Sequence, residues 1–189
     1  MRHKYETRGI VLSRTPVGEA TASVAILTED LGLVYARAQS VRVSGAKLAA
    51  ALATFAESGV VLVRGKEYWR VAGAVLEERW FEKLATPAAR VRAAQVSGLV
   101  TRLIAGETHD VQIFPIMRGF FAALAASPES EHEAIEILAV LRLLAALGLD
   151  AGEIPGTDLA FDEAALASVR ARRSHYLSRI NTGITASGL

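Results

Sequence analysis

The spacing of apolar residues changes once along this chain, near residue 77, and this change limits the fold more than any other feature of the sequence. Before it, β-branched and aromatic residues alternate with other residues in short runs, which is the two-residue period of β-strands. After it, apolar residues recur every three to four positions, as in amphipathic helices. The 189 residues suffice for two small cores. We therefore predict a β domain over residues 1–80 and an all-helical domain over residues 81–189.

The first domain is predicted to contain five strands and one helix. The strands cover residues 6–13, 21–28, 33–39, 59–63 and 68–76. Between the third and fourth, Ser44 is suited to cap a helix in which Leu48, Leu52 and Phe55 share one face. Three strands, a helix and two strands is the order of an OB-fold, a five-stranded Greek-key barrel. An SH3-like barrel or another five-stranded sheet would give similar spacing, so periodicity alone leaves these alternatives open.

The second domain is predicted to contain four helices. The first ends near Gly106, and the second follows Pro115, a residue suited to a first helical turn. Gly148 is placed to terminate the third helix. Asp162 is placed to cap the last helix, which runs through Ile180. The overall prediction is an α+β chain in which an OB-fold barrel precedes a helical domain.

Composition excludes several classes of site and location. The chain has no cysteine, which removes disulfides, thiolate zinc sites and cysteine nucleophiles. Arg142 interrupts the most apolar run, residues 137–149, well short of the roughly 18 residues of a membrane helix. The charged first residues do not resemble a secretion signal. We expect a cytoplasmic protein, associated with the nucleoid if it binds DNA.

The sequence lacks the residue patterns that catalysis requires. Residues 59–66 resemble a phosphate-binding loop, but the spacing is one residue too long and Glu67 replaces the magnesium-binding Ser or Thr. His132 and the following Glu begin a zinc-protease pattern, yet Glu136 stands where the second histidine is required. The four histidines are scattered along the sequence. We therefore expect a non-enzymatic binding protein without a metal or other cofactor.

Charge is unevenly distributed along the chain. Residues 1–76 carry ten Lys/Arg against six Asp/Glu, a net charge of +4. Residues 77–163 carry seven against fourteen, or −7, and residues 164–189 carry four against none, or +4. We therefore expect a polyanion to bind residues near the two ends of the sequence rather than residues in its middle.

Cations and aromatic rings are interleaved in the β domain. Alternation over residues 33–39 places Leu33, Tyr35, Arg37 and Gln39 on one strand face and small apolar residues on the other. Rings that stack on bases and cations that follow the backbone are typical of single-strand binding surfaces. The candidate DNA-binding residues are Tyr35, Arg37, Gln39, Arg42, Lys47 and Arg14. The alternative is that these are ordinary solvated side chains.

Two further groups remain open at this point. Tyr68 and Trp69 alternate across the last strand, so one ring packs in the barrel and only the other is exposed, without an indication of which. A second candidate polyanion site near the C-terminus consists of Arg170, Arg172, Arg173 and Arg179. Arg172 and Arg179 are seven residues apart and would share one side of a helix. These arginines could equally neutralise the acidic middle of the chain.

The residues also resemble those of a known family. The pattern comprises residues 5–12, Gly18-Glu19-Ala20, Leu27-Thr28-Glu29, Gly32, Ala38, Arg42 and Leu48, with Leu141-Arg142-Leu143-Leu144 and Gly148-Leu149 further on. It resembles the RecO family of bacterial recombination mediators, most clearly over the first half of the chain. Two departures are that Gln39-Ser40 replaces a frequent Lys-Gly pair and that the four-cysteine zinc module of many members is missing or metal-free.

The resemblance implies a function and partners. It implies an OB-fold that binds single- and double-stranded DNA and anneals strands during DNA repair and recombination. It also implies association with RecR and with the acidic C-terminal tail of single-stranded-DNA-binding protein, so that RecA loads at gaps. Such a tail requires an apolar groove with a basic rim, for which Arg118 and Arg142 are candidates unless each satisfies neighbouring acids. The alternative is an adaptor whose helical domain binds a partner peptide and whose barrel binds no nucleic acid.

Overall fold

A computed structural model describes residues 3–17, 19, 21–39, 47–104, 112–156 and 159–189. The chain folds into two compact units. The first comprises Met1–Lys83 and Ile104–Phe114, and the second comprises Leu84–Leu103 and Pro115–Leu189. Within the described residues, no helix has both the length and the apolar character to span a membrane.

The first unit contains a closed five-stranded barrel. Its elements are β1 (Lys4–Pro16), β2 (Thr21–Thr28), β3 (Gly32–Gln39), α1 (Lys47–Ala51), β4 (Ala56–Arg64), β5 (Trp69–Arg79) and α2 (Trp80–Lys83). The strand order is β1-β2-β3-β5-β4, and β4 pairs with β1 to close the barrel. All pairs are antiparallel except β3 with β5. This arrangement confirms the predicted OB-fold.

The barrel core is built from small and β-branched side chains that alternate with outward residues along the strands. Val24, Val34 and Ala36 are buried in it together with Leu62 and the large ring of Trp69. Apolar burial of this kind is the main favourable contribution to folding.

The helix between β3 and β4 is shorter than predicted. It ends at Ala51, and Phe55, which the periodicity placed on the same helix, instead has a φ of 64°. The Phe55 N–H donates to the carbonyl of Val11 at 2.8 Å, and the Ser58 hydroxyl donates to the carbonyl of Ala51 at 2.7 Å. These contacts turn the chain early, so β4 begins three residues before the predicted position. The expected cap, Ser44, lies outside the described residues.

The second unit is helical. Its elements are α3 (Pro87–Leu103), most of α4 (Ile113–Ala126), a 3₁₀ turn (Glu129–Glu131), α5 (His132–Ala146), α6 (Glu163–Ala171) and α7 (Arg173–Ala186). Helix α5 packs against α3, α6 and α7, and its residues from Ile137 to Leu144 are all buried. The helical domain predicted from the 3.6-residue period is therefore present.

Two predicted helix caps are confirmed, and one predicted helix is divided. Gly148 has a φ of 70°, its N–H donates to the carbonyl of Ala145 at 2.9 Å, and the next N–H donates to the carbonyl of Leu144 at 2.8 Å. This is the Schellman ending that favours glycine. The Asp162 carboxylate accepts from the Ala165 N–H at 2.8 Å and caps α6. The predicted last helix breaks at Arg172, whose φ of −119° and ψ of 31° separate α6 from α7.

Gly9 lies in β1 where the backbone approaches β2 closely. A Cβ atom there would be 2.5 Å from Cγ2 of Ile26 and 3.2 Å from the carbonyl oxygen of Leu27. We predict that Gly9→Ala lowers the free energy of unfolding by about 1–3 kcal/mol, because a well-packed core accommodates added methyl groups poorly. The measurement is chemical denaturation followed by circular dichroism. The control is Gly73→Ala in β5, where the added Cβ would meet Cγ2 of Val61 at an ordinary 3.9 Å; equal stabilities of the two variants would contradict the prediction.

Candidate nucleic-acid interface

The outer side of β3 carries three of the predicted DNA-binding residues. Tyr35, Arg37 and Gln39 are exposed, whereas the intervening alanines are buried. This pattern confirms the predicted alternation for these residues. Leu33 is an exception, since it was expected on the outer face and is only 1% exposed.

Strand β5 and the turn before it add an arginine and an aromatic ring to the same side of the barrel. The parallel pairing of β3 with β5 places Arg37 beside Arg70, and both side chains are exposed. Directly paired residues of neighbouring strands project from the same face. Trp69, between Tyr68 and Arg70, is 6% exposed and belongs to the core, so Tyr68, at 38% exposure, carries the outward ring. We call Tyr35, Arg37, Gln39, Tyr68 and Arg70 the β3–β5 face.

Arg37 and Tyr68 are in direct contact on this face. The guanidinium carbon of Arg37 lies 3.9 Å from the centroid of the Tyr68 ring, which is a close cation–π geometry. Arg37, Gln39, Tyr68 and Arg70 also line a concavity of about 430 Å³. This volume is in the range of pockets that hold small ligands. The concavity therefore combines two guanidiniums, an amide and a ring.

The arginines of the β3–β5 face differ from others in the barrel in their neighbours. Within the part of the chain that the structure describes, neither Arg37 nor Arg70 forms an ion pair with a carboxylate. By contrast, Arg8 pairs with Glu77 at 3.1 Å and Arg79 pairs with Glu82 at 2.8 Å. Cations without a carboxylate neighbour raise the local positive potential, which attracts phosphates.

Arg14 is not part of this face. A β-bulge between Val11 and Ser13 shifts the register by one residue, so Arg14 pairs with Val24, whose side chain lies in the core. A shift of one residue moves a side chain to the other side of a strand. The register therefore separates Arg14 from Arg37, and Arg14 remains a separate candidate for DNA binding. Two other candidates are not tested, because Arg42 and the side chain of Lys47 lie outside the described residues.

The C-terminal arginines contact acidic residues of their own unit. Arg170 pairs with Glu131 and Glu163. Arg173 donates two hydrogen bonds to Glu133, at 2.9 and 2.6 Å. Arg179 donates to the carboxylate of Asp150, in part at 3.2 Å, and to the carbonyl of Glu153 at 2.7 Å. For these three arginines, the geometry corresponds to the alternative in which they neutralise the acidic middle of the chain.

Arg172 has a different environment. Its guanidinium carbon is 5.3 Å from the centroid of the buried Tyr176 ring, and that of Arg179 is 5.5 Å from the same centroid. Arg172 also donates to the Ser168 hydroxyl at 3.1 Å. The two arginines seven residues apart thus contact one ring, although a helix break precedes α7. Arg172 remains a candidate polyanion contact.

Arg142 is buried, so the prediction that it rims a surface groove is wrong. It is 4% exposed, and its guanidinium donates to the carbonyls of Leu159 and Ala160 at 2.8 and 2.7 Å. It also lies over the Phe161 ring at 4.7 Å. Burial lowers the pKa of this guanidinium, and the charge of Asp162 partly offsets that effect. Arg118 is exposed on α4 and remains a candidate partner contact.

A groove with an apolar floor and charged side chains lies between α3, α5 and α7. Its volume is about 330 Å³, and its apolar lining includes Val96, Leu99 and Ile137. Its charged lining consists of Arg92, Arg102, Glu133 and Glu136, and Arg92 pairs with Glu136. We call this feature the helical groove. The groove could not be predicted from the sequence, because its lining residues come from three separate helices. Across the described residues, no group of three His, Cys, Asp or Glu side chains is arranged to bind a metal.

Comparison with known proteins gives consistent matches. Residues 1–78 match the family model described as "Recombination protein O N terminal". The chain is 42% identical to a DNA repair protein RecO from Dehalococcoides mccartyi over 71 residues, which are 38% of this chain and 28% of that protein. It is 29% identical to the DNA repair protein RecO of Gloeobacter violaceus over 147 residues, 77% of this chain and 56% of that protein. A DNA repair protein RecO from Roseiflexus is 32% identical over 123 residues, 65% of this chain and 43% of that protein.

These matches do not extend over the full length of the relatives. The chain covers between 28% and 56% of the length of these three curated proteins. The residues that match the family model run from β1 into β5 and therefore correspond to the barrel. The similarity therefore concerns the barrel above all, the unit that carries the β3–β5 face.

Arg142 holds the segment before α6 through its two carbonyl contacts. We predict that Arg142→Leu lowers the free energy of unfolding by about 1–3 kcal/mol, because both hydrogen bonds that hold the segment before α6 are lost. The measurement is the urea midpoint of the full chain. Arg118→Leu, at an exposed position of α4, is the control and should change stability by less than about 1 kcal/mol. A larger effect at Arg118 than at Arg142 would contradict this assignment.

The hydrogen bond from Arg173 lowers the pKa of Glu133 below its ordinary value of 4.5. A carboxyl whose pKa is lower in the folded chain stabilises it above the unfolded pKa and loses this effect as the pH falls through the folded pKa. We predict that Arg173→Gln flattens the dependence of stability on pH below about 4.5. Urea midpoints between pH 3 and pH 7 measure this, with Arg172→Gln as the control. Identical slopes for Arg173→Gln and wild type would refute it.

Proposed function

We propose that this chain acts as a RecO-type protein in DNA repair and recombination by binding DNA on the β3–β5 face, a proposal supported by the match of residues 1–78 to the family model and by the similarity to its relatives. Its curated relatives bear the name DNA repair protein RecO. In this proposal the protein is a non-enzymatic mediator located in the cytoplasm and associated with the nucleoid. It holds strands rather than altering their covalent structure.

The observation that carries the proposal is the pairing of Arg37 beside Arg70. The two exposed guanidiniums lie side by side across β3 and β5, and no carboxylate of the described residues pairs with either. Guanidiniums hydrogen-bond phosphate oxygens in a bidentate manner. Arg42 and Lys47, which follow β3 in the sequence, are proposed to extend this phosphate-binding row.

Phosphate contacts of this kind explain the proposed range of DNA substrates. They carry no sequence information, so single- and double-stranded DNA of any sequence would bind. Neutralising the phosphates of two complementary strands would lower their mutual repulsion and favour annealing. We propose that this activity, together with RecR, helps RecA to load at single-stranded gaps.

The helical groove is the proposed site for the tail of single-stranded-DNA-binding protein. An acidic tail with apolar residues needs an apolar floor and cations at its edge. Val96, Leu99 and Ile137 supply the floor. Exposed Arg102 supplies a cation at the edge, whereas Arg92 is already paired with Glu136. We therefore propose the helical groove, rather than the surroundings of buried Arg142, as the tail-binding site. Exposed Arg118 remains a further candidate contact for the tail.

The same groove favours a second function of the chain. As an adaptor, the protein would bind a partner peptide in the helical groove while its barrel bound no nucleic acid. The two functions differ in their response to salt, because phosphate binding releases counterions and weakens steeply as salt rises. Partner binding that is insensitive to salt, without retention on single-stranded DNA, would favour the adaptor.

The test of the DNA site is charge reversal of Arg37 and Arg70 together to Glu. If about four phosphates are contacted, log affinity for single strands should fall with log salt at a slope near −3. The double variant should weaken binding of all sequences alike and reduce that slope to roughly −1.5, since two contacts of about 0.7 each are lost. Fluorescence anisotropy of labelled oligonucleotides at several salt concentrations measures both quantities.

The matched control reverses Arg79 and Lys83, two exposed cations of the same unit that already pair with Glu82 and Glu78. It changes net charge by the same amount but should leave affinity within about threefold. Equal loss in both double variants would show that net charge alone is responsible. Unchanged binding by the Arg37 and Arg70 variant would remove the β3–β5 face from the proposal.

A further inference from the structure

We infer that Tyr68 and Arg37 together form a stacking site for an unpaired base, so that the β3–β5 face binds single strands in preference to duplex. This inference rests on the proposed DNA-binding function and adds the substrate class. It depends on the position of one ring, on the guanidinium that contacts it and on the turn that holds it.

Tyr68 lies in the turn that precedes β5, and its ring is exposed beside a buried aromatic residue. Its neighbour Trp69 is 6% exposed and fills the core, whereas Tyr68 is 38% exposed at the edge of the concavity. The Tyr68 hydroxyl could donate to a phosphate oxygen, but the face of the ring contributes nothing to such a contact. A nucleobase, however, has a flat face that stacks on aromatic side chains regardless of sequence.

The ring is held in place before any ligand binds. Arg37 lies 3.9 Å from its centroid, so a cation–π contact fixes the ring on the β5 side of β3. The backbone also limits its motion, because the Gly65 N–H donates to the Tyr68 carbonyl at 3.0 Å across the β4–β5 turn. That turn is tight enough that a Cβ on Gly65 would lie 2.6 Å from the Tyr68 carbonyl oxygen. A preordered ring loses less conformational entropy when a base stacks on it.

A second exposed ring lies on the same face. Tyr35, at 48% exposure, precedes Arg37 by two residues along β3, a separation of about 7 Å. Arg70 lies beside Arg37 and is available to the phosphate of the same nucleotide. The face therefore offers rings for bases and guanidiniums for the backbone in one row.

This arrangement discriminates between single strands and duplex. In a duplex, the bases stack on each other and present only their edges in the grooves. A protein ring reaches a base face there only after the base has been unstacked, which costs free energy. In a single strand, the base faces are accessible. Stacking at Tyr68 therefore adds affinity for single strands that duplex DNA does not share.

The test combines substitutions at Tyr68 with removal of bases from the DNA. Labelled poly-dT oligonucleotides, intact or with abasic sites in place of the bases, are titrated against the wild-type chain, Tyr68→Ala and Tyr68→Phe. For intact DNA, Tyr68→Ala should weaken binding about tenfold, the scale of one lost base stack. On abasic DNA the same change should alter affinity by less than about twofold, since no base remains to be lost. Tyr68→Phe keeps the ring and should bind intact DNA like wild type.

The outcomes separate the inference from the function on which it rests. Equal weakening of intact and abasic DNA by Tyr68→Ala would overturn the stacking site, because Tyr68 would then act only by orienting Arg37. No effect on either DNA would overturn it as well. If the wild-type chain bound neither intact nor abasic oligonucleotide, the proposed DNA-binding function itself would fail.

Discussion

The closure of the barrel between β3 and β5 is the constraint on which the arrangement of the candidate site depends. Among the described residues, these strands pair at two positions, Ala36 with Trp69 and Arg37 with Arg70. The first pair places Trp69 inward, where Tyr5 contacts its ring edge-on with centroids 5.2 Å apart. Because successive side chains of a strand point to opposite faces, an inward Trp69 requires Arg70 to project outward. Tyr68, in the turn before β5, lies beside Arg37. Burial of one large ring thus determines which side chains β5 presents beside β3.

In the helical unit, helix α5 is almost entirely buried, yet it carries a charged residue near its middle. Arg142 of α5 is surrounded by buried residues, and a buried cation is costly unless its donors are satisfied. Two backbone carbonyls, from Leu159 and Ala160, accept from it, and the Phe161 ring covers its face. These partners lie immediately before Asp162, the cap of α6. The arginine therefore positions the segment that leads into α6, a structural role that accounts for its place in an otherwise apolar run.

Local features of the fold could be predicted from the sequence, whereas features that depend on long-range pairing could not. Strand β2 begins and ends at the predicted residues 21 and 28, and the caps at Gly148 and Asp162 are correct, because alternation and capping are properties of neighbouring residues. The direction of Arg14 could not be predicted, because a single-residue bulge is not visible in the alternation of side chains. Arg70 was missed because its place beside Arg37 follows only from the parallel pairing that closes the barrel.

The same distinction governs the charges. Counted along the chain, the two ends look alike, since residues 1–76 and 164–189 each carry a net charge of +4. In three dimensions they differ, because Arg170, Arg173 and Arg179 each contact acids from the central segment. Such a pair exerts little net electrostatic attraction on a distant phosphate. On the β3–β5 face, the described residues supply no carboxylate to Arg37 or Arg70. Attraction of a polyanion depends on charge that remains after internal pairing, and this criterion selects the barrel face over the C-terminal arginines.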